Sequence, residues 1–111
     1  MIDEPTIELE LVKSSVGTES PVESELFDAI RAAVRTERPE ALVVPFLTSG
    51  GTDCKHFRPK GIISYGHIPF ELDDSEAERI HGVDERVSLE NLKRGLRILF
   101  GTVANLCVAE P

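Results

Sequence analysis

The sequence predicts an α/β fold, a layered sheet with flanking helices. Short apolar runs alternate along the chain with segments whose apolar residues recur every three or four positions, in the order strand, helix, strand, helix, strand, helix. Such alternation is typical of layered α/β domains in which at least part of the sheet is parallel. The chain has 111 residues, of which 41% are hydrophobic and 29% charged. This composition fits one small globular domain.

The first predicted strand and helix lie in the N-terminal third of the chain. Ile7–Leu11 alternates apolar and acidic residues, which indicates a half-buried strand with one face toward solvent. Ser20, Pro21 and Glu23 form the pattern of a capped helix start. Pro39 lies beyond the expected end of this helix. Its apolar stripe is predicted to comprise Val22, Leu26, Ile30, Ala33 and Val34.

Two more short strands are predicted in the middle of the chain. Ala41–Val44 and Ile62–Tyr65 are apolar runs with β-branched residues, as in buried strands. Between them the sequence predicts a short helix over Cys54–Phe57, closed by Pro59 and Gly61. The remaining strands of the sheet are therefore expected on either side of this short helix.

The last third of the chain is predicted to hold an acidic loop and a long helix. The stretch from Leu72 to Arg79 reads as a loop with a helical turn, and Ser88 can cap the helix that follows. Gly95 and Gly101 within that helix are expected to permit close packing against the sheet. The face predicted to be buried consists of Leu89, Leu92, Leu96, Leu99, Val103 and Leu106, spaced alternately by three and four residues.

Charge and hydropathy exclude several classes of function. The formal net charge of −8 disfavours nucleic acid and anionic membrane surfaces, which both attract basic proteins. No apolar run is long enough to span a bilayer, and the acidic N-terminus has no apolar signal core. We therefore expect no membrane partner and a cytoplasmic location. Cys54 and Cys107 are far apart in sequence, so free thiols are expected, and a disulfide between them stays open.

A glycine-rich turn is the first candidate binding site. Ser49-Gly50-Gly51-Thr52-Asp53 leads into the predicted short helix. Glycine lets a backbone approach a ligand closely, and the start of a helix presents unpaired N–H groups to an anion. A substrate carboxylate would fit such a cradle, with the Thr52 hydroxyl as a further donor. The alternative is an ordinary strand-to-helix turn capped by Thr52 or Asp53.

His81 is the candidate metal ligand, because neutral imidazole commonly binds zinc. It lies in a polar loop, and the alternative is a solvated loop histidine beside Arg79 and Asp84. His56 is expected to have a surface or packing role, and His67, at a predicted strand end, to lie near the substrate. The acidic run after Leu72 lacks the glycine and ligand spacing of an EF-hand loop, so a solvated loop is expected there.

The glycine turn and the segment His81-Gly82-Val83-Asp84-Glu85-Arg86 together resemble the C-terminal portion of a zinc-dependent amidohydrolase and exopeptidase family. This family includes carboxypeptidase G, aminoacylase, acetylornithine deacetylase and succinyl-diaminopimelate desuccinylase. The resemblance implies that Gly51 and Thr52 contact the substrate carboxylate and that Asp53 shapes the turn. It implies that His81 binds zinc, with Glu85 orienting the loop or a ligand from behind it.

The resemblance also divides the chain and implies that it is incomplete as a catalyst. Residues 1–13 would hold the terminal strand of a lid (dimerisation) domain, and residues 14–111 the C-terminal part of the catalytic domain. The family's other zinc ligands lie upstream, in an H-x-D segment, a bridging aspartate, a Glu-Glu pair and a further acid, and the first Glu of that pair is the general base. None of these has a counterpart here. A complete enzyme would hold two zinc ions. This chain alone is therefore expected to be inactive.

The implied whole enzyme is a homo-oligomer that cleaves amide or peptide bonds next to a free carboxylate, with peptides or N-acyl amino acids as substrates. The resemblance does not identify which of these substrates it prefers. The alternative is a non-catalytic α/β binding or assembly module.

Overall fold

The structure is a computed structural model that describes residues 8, 10–12, 14, 16–48 and 50–108. Its helices within these residues are α1 Glu25–Glu37, α2 Cys54–Phe57, α3 Asp74–Ala77 and α4 Leu89–Cys107. A short 3-10 turn over Arg58–Lys60 directly follows α2. The segments that join these helices are turned or extended.

The predicted sheet is wrong for the part of the chain that the structure describes, which contains no β-strand. In the run Ala41–Val44, Leu42 and Val44 are exposed and the other two residues are half-buried. Ile62–Tyr65 does not pair with another strand within the described residues. Ile7 and Leu9 of the first predicted strand lie outside the described residues. A strand requires a second backbone to complete its hydrogen-bond ladder, whereas apolar, β-branched composition expresses only a preference for a pleated, half-buried surface.

At Ser64, side chains take the place of a neighbouring strand. The Ser64 backbone N–H donates to Ser20 Oγ at 3.1 Å, and the Ser64 carbonyl accepts from Arg58 Nη2 at 2.9 Å. Because backbone polar groups must find partners when they leave water, these two side chains satisfy a segment that the sequence indicated as a strand.

The N-cap of the first helix lies four residues after the predicted one. Ser24 is the N-cap, and its Oγ accepts from Phe27 N at 3.1 Å. Ser20 is instead held by Ser64, and Val22 lies before the helix and is 41% exposed. The helix ends at Glu37, before Pro39, as predicted. Ile30 and Ala33 of the predicted stripe are buried, while Leu26 and Val34 are half-buried.

Helices α1 and α4 pack antiparallel and form most of the core. Arg97 Nε lies 2.7 Å from Glu37 Oε2, and a Cβ atom added at Gly101 would lie 3.3 Å from the Ala33 side chain. Gly101 therefore allows close packing as predicted, but the neighbour is α1 instead of a sheet. The buried residues are Phe27, Ala29, Ile30, Ala33, Cys54, Asn91, Gly95, Ile98 and Thr102.

The buried face of α4 differs from the predicted one. Ser88 caps the helix as expected, with its Oγ accepting from Asn91 N at 3.1 Å. Yet the residues turned toward the core are Asn91, Gly95, Ile98 and Thr102. The predicted face is between 37% and 75% exposed. We call it the α4 stripe, consisting of Leu89, Leu92, Leu96, Leu99, Val103 and Leu106. Gly101 lets α1 approach closely at Ala33, while Asn91 and Gly95 face the segment Pro69–Glu71. The adjacent stripe therefore stays open.

The acidic stretch before α4 forms a helical turn, as predicted. Helix α3 has a capping box in which Asp73 accepts from Glu76 N at 2.8 Å and the Glu76 carboxylate accepts from Asp73 N at 3.2 Å. The side chain of Asn91 then fixes the segment before this turn, because it donates to the Glu71 carbonyl at 2.6 Å and accepts from Glu71 N at 3.0 Å. Among the described helices, none has the length and apolarity to cross a membrane.

Candidate functional site

The turn at Thr52 and Asp53 leads into the predicted short helix. Helix α2 covers Cys54–Phe57, as the sequence indicated, and Asp53 occupies its N-cap position. The Asp53 side chain makes no capping hydrogen bond, while the Asp53 carbonyl accepts from His56 N at 2.9 Å. Gly61 closes the following 3-10 turn with a φ of 77°, as predicted. The helix has only 4 residues, so the macrodipole that would favour an anion is small.

Neither the backbone conformation of this turn nor its packing requires glycine. Gly50 and Gly51 are exposed, and neither has the left-handed backbone that would require glycine. A Cβ atom at Gly51 would meet nothing within 4 Å. Positive φ, one of the two reasons for expecting glycine here, is therefore absent. Close approach of a ligand to the backbone remains as a physical reason for a glycine at Gly51. Ser49, which precedes them, lies outside the described residues.

Thr52 contacts the buried thiol of Cys54. The Thr52 hydroxyl is the main cause that lowers the pKa of Cys54, with smaller help from Ser64 and Arg58, while burial acts in the opposite direction. Both cysteines are free, as predicted, with Cys54 buried and Cys107 exposed. Thr52 thus interacts with the Cys54 thiol through its hydroxyl and is also exposed to solvent.

Arg58 joins three segments near this turn. Its Nη1 donates to the Thr18 carbonyl at 2.6 Å, and its Nε donates to Ser20 Oγ at 3.2 Å. Its Nε and Nη2 both donate to the Ser64 carbonyl, at 3.1 and 2.9 Å. Sequence reasoning missed this residue, because an arginine directly after a short helix has no local signal. Its acceptors at Thr18 and Ser20 are 40 and 38 residues away, and Ser64 lies 6 residues away across a turn. Only the folded chain brings them together.

The loop around His81 has an unusual backbone. His81 and Asp84 have φ values of 63° and 66°, in the left-handed region that few residues other than glycine adopt. The His81 backbone N–H donates to Glu85 Oε2 at 3.0 Å, and Gly82 N donates to the Arg79 carbonyl at 2.7 Å. Glu85 therefore anchors the backbone on which the His81 imidazole is carried. Strained backbone of this kind persists where surrounding contacts hold it, and it is common at functional sites.

The other histidines differ from His81 in their surroundings. His56 is exposed on α2. His67 is half-buried, its Nε2 is buried without a hydrogen-bond partner, and burial lowers its pKa. An unpartnered buried nitrogen favours the neutral imidazole, since the charged form would have to leave water uncompensated.

The two candidate sites are not joined within the described part of the chain. No hydrogen bond or ion pair described there connects the Thr52 turn with the His81 loop. The open cleft beside α3 is lined by Glu71, Asp73, Glu76 and Arg94 among others, and neither Thr52 nor His81 borders it. Each candidate is thus a separate surface element of the described chain.

A zinc site is not complete in the described residues. They contain no group of three or more His, Cys, Asp or Glu side chains placed to hold a metal ion. Zinc in proteins takes at least three protein ligands, so the described residues around His81 do not form a zinc site by themselves.

Comparison with known proteins relates this chain to a family of hydrolases. The family described as Peptidase family M20/M25/M40 matches residues 5–105. The chain is 26% identical over 86 residues to "Probable carboxypeptidase S-like 2" of Dictyostelium discoideum, covering 78% of this chain and 17% of that protein. It is 25% identical over 80 residues to "N-fatty-acyl-amino acid synthase/hydrolase PM20D1" of Mus musculus, covering 71% of this chain and 16% of the relative. No solved structure matches the chain.

The family match covers nearly the whole chain and includes both the Thr52 turn and the His81 loop. The chain spans only about a sixth of the length of these relatives, at 17% and 16%. Members of the family are generally metal-dependent hydrolases. This chain belongs to the peptidase family M20/M25/M40.

Proposed function

We propose that the chain is the C-terminal part of a zinc-dependent hydrolase that cleaves an amide or peptide bond next to a free carboxylate. Support for the substrate class comes from the relatives, one named a probable carboxypeptidase S-like protein and the other an N-fatty-acyl-amino acid synthase/hydrolase. A peptide C-terminus and an N-acyl amino acid share a free carboxylate beside the scissile amide. The whole protein would recognise that group.

The geometry of the His81 loop carries the proposal. The backbone of His81 is left-handed and its N–H donates to Glu85, so the exposed loop that carries the imidazole is held in place. In this proposal His81 supplies one zinc ligand, and Glu85 orients the ligand through the backbone. Bound zinc would polarise the scissile carbonyl and activate water, with its remaining ligands contributed by chain outside these residues.

The Thr52 turn serves as the carboxylate site in the same proposal. The exposed Gly51 leaves open space around its backbone, and the Thr52 hydroxyl is a donor beside it. Asp53 closes the turn onto α2 through its carbonyl. Because α2 is short, recognition here depends on hydrogen bonds from the backbone and Thr52 more than on a helix dipole.

The isolated chain is proposed to be inactive, with its α4 stripe covered by the rest of the enzyme. The described residues hold no complete metal site, and the stripe leaves apolar side chains such as Leu89 and Leu96 at 75% and 58% exposure. Contiguous apolar surface is uncommon on a monomer and marks a contact surface. The relatives are about six times longer than the matched segment. In this proposal the part of the enzyme outside this chain packs against the α4 stripe.

A first experiment compares His81→Ala with His56→Ala in the longer enzyme that contains this chain. His81→Ala should lower kcat by at least about a hundredfold, since small misplacements of catalytic groups have effects of that size. Its zinc content should fall from two ions toward one. His56→Ala, a matched exposed histidine, should change neither. Loss of zinc in His56→Ala with none in His81→Ala would reassign the metal ligand.

A second experiment tests the carboxylate site with Thr52→Val, which keeps the shape and removes the hydroxyl. A hydrogen bond to a charged group contributes about 1.5–3 kcal/mol, so kcat/KM for substrates with a free carboxylate should fall by about tenfold or more. Substrates with an amidated C-terminus should lose little. An equal loss for both substrates would show that Thr52 does not bind the carboxylate.

The inactivity of the isolated chain is tested by assaying N-acyl amino acids and dipeptides with added zinc. Turnover that requires zinc and persists through purification would contradict the proposal that this chain is one part of the catalyst. If the longer reading frame lacked H-x-D and Glu-Glu segments, a non-catalytic binding module would replace the hydrolase.

A further inference from the structure

We propose that Arg58 is a positioning residue that holds the Thr52 turn in its binding geometry. The inference rests on the proposed role of Thr52 in binding a carboxylate. Arg58 is half-buried, and its guanidinium donates to the Thr18 carbonyl, to Ser20 Oγ and to the Ser64 carbonyl. These acceptors belong to two segments that are distant from one another in sequence, and Arg58 itself belongs to a third.

Arg58 reaches the Thr52 turn from one side through α2. Its backbone N–H donates to the Cys54 carbonyl and so closes the helix that begins just after Thr52 and Asp53. Lys55 N also donates to the Thr52 carbonyl at 3.2 Å. Helix α2, a single hydrogen-bonded helical turn, thus connects Arg58 to the Thr52 turn.

Arg58 reaches the turn from the other side through the segment that follows Ser64. Two residues beyond Ser64, Gly66 lies close to Thr52, since a Cβ atom added at Gly66 would be 3.9 Å from Thr52 Cγ2. Ser64 is fixed by Arg58 and by Ser20, whose hydroxyl accepts from Ser64 N and donates to the Ser64 carbonyl. Thr52 therefore lies between two elements that both depend on Arg58.

The chemistry of these contacts requires arginine. A guanidinium presents five N–H donors in a rigid plane, and here it serves carbonyl and hydroxyl acceptors in different directions. A lysine ammonium has three donors on a flexible stem and cannot span the same acceptors in one plane. Replacement by lysine keeps the positive charge and removes the planar set of guanidinium donors. The variant therefore distinguishes the effect of the hydrogen bonds from the effect of the charge.

The test in the longer enzyme compares Arg58→Lys and Arg58→Ala with Arg35→Ala, an exposed arginine on α1. Both Arg58 variants should raise KM for substrates with a free carboxylate by about 10- to 100-fold, the range that a misplaced binding group produces. Zinc content should be unchanged and kcat should change little. Millimolar guanidinium should lower the KM of Arg58→Ala. Arg35→Ala should behave as the wild type.

A second measurement uses the 111-residue chain and needs no catalysis. Amide hydrogen exchange at Lys55 and His56, whose N–H groups donate to the Thr52 and Asp53 carbonyls, should become at least about tenfold faster in Arg58→Lys, because local opening of the turn is no longer opposed. Unchanged exchange together with unchanged KM would overturn the positioning role. An equal fall in kcat for all substrates, without rescue by guanidinium, would also overturn it. Faster exchange in a protein whose longer form hydrolyses no amide would support the role of Arg58 and refute the hydrolase.

Discussion

Gly95→Ala is expected to destabilise the chain, because a side chain at this position of α4 has no room. A Cβ atom there would lie 2.5 Å from Cε1 and 2.8 Å from Cδ1 of Phe70, and 3.1 Å from the Pro69 carbonyl oxygen. Phe70 is half-buried and can turn aside. The Pro69 carbonyl is less free, because Asn91 holds the next-but-one residue, Glu71, by its backbone N–H and carbonyl.

The expected magnitude follows from two opposing effects. Overpacking of a well-packed site costs about 1–3 kcal/mol. Alanine in place of glycine within a helix is favourable by about 1 kcal/mol. The free energy of unfolding of Gly95→Ala should therefore fall by about 1 kcal/mol. Gly101→Ala is the matched control on the same helix. Its Cβ would lie 3.3 Å from the Ala33 side chain, so a small shift suffices and the net effect should be close to zero.

The assay is urea unfolding followed by circular dichroism, with Gly95→Ala, Phe70→Ala and the double variant forming a cycle. Residues in contact show an interaction free energy of about 0.5–3 kcal/mol in such cycles. Gly95→Ala should cost clearly less when Phe70 is already alanine. If Gly95→Ala is as stable as Gly101→Ala, or if its cost is the same in both backgrounds, the contact with Phe70 does not explain the glycine.

Three further predictions concern the same chain. Asn91→Ala should lower the free energy of unfolding by about 1–3 kcal/mol, because it removes the partner of both Glu71 backbone groups; an unchanged urea midpoint would contradict this. Burial lowers the pKa of His67. As the pH falls, the unfolded chain therefore binds a proton at this residue at a higher pH than the folded chain does. Stability should be full above the unfolded pKa of about 6.5 and decrease as pH falls below it. Urea titrations at pH 7.5 and 5.5 measure this decrease in the free energy of unfolding. The decrease should be smaller in His67→Gln than in the wild type, whereas the exposed control His56→Gln should match the wild type. An equal decrease in both variants would show that His67 is not the cause. The isolated chain should self-associate through the open α4 stripe, and Leu96→Glu should shift sedimentation toward the monomer. A wild-type chain that stays monomeric at high concentration would refute that use of the stripe.

The sequence by itself was sufficient for features that depend on near neighbours. The end of α1 before Pro39, the short helix Cys54–Phe57 and the Ser88 cap all followed from caps and helix breakers, whose effects extend only a few residues. Family membership also followed from two short motifs, the Thr52 turn and the His81 loop. The residue roles within these motifs stay predictions.

Tertiary structure decided what is buried and which polar groups meet. Periodicity correctly identified α4 as amphipathic, yet the face that is buried holds Asn91, Gly95 and Ile98, and the leucines stay exposed. A pattern marks a face that can be buried, whereas the position of the neighbouring element determines which face is. The same reason explains the error about strands, since a strand depends on a second backbone that local composition does not specify. It also explains Arg58, whose acceptors at Thr18 and Ser64 are brought together only by the folded chain.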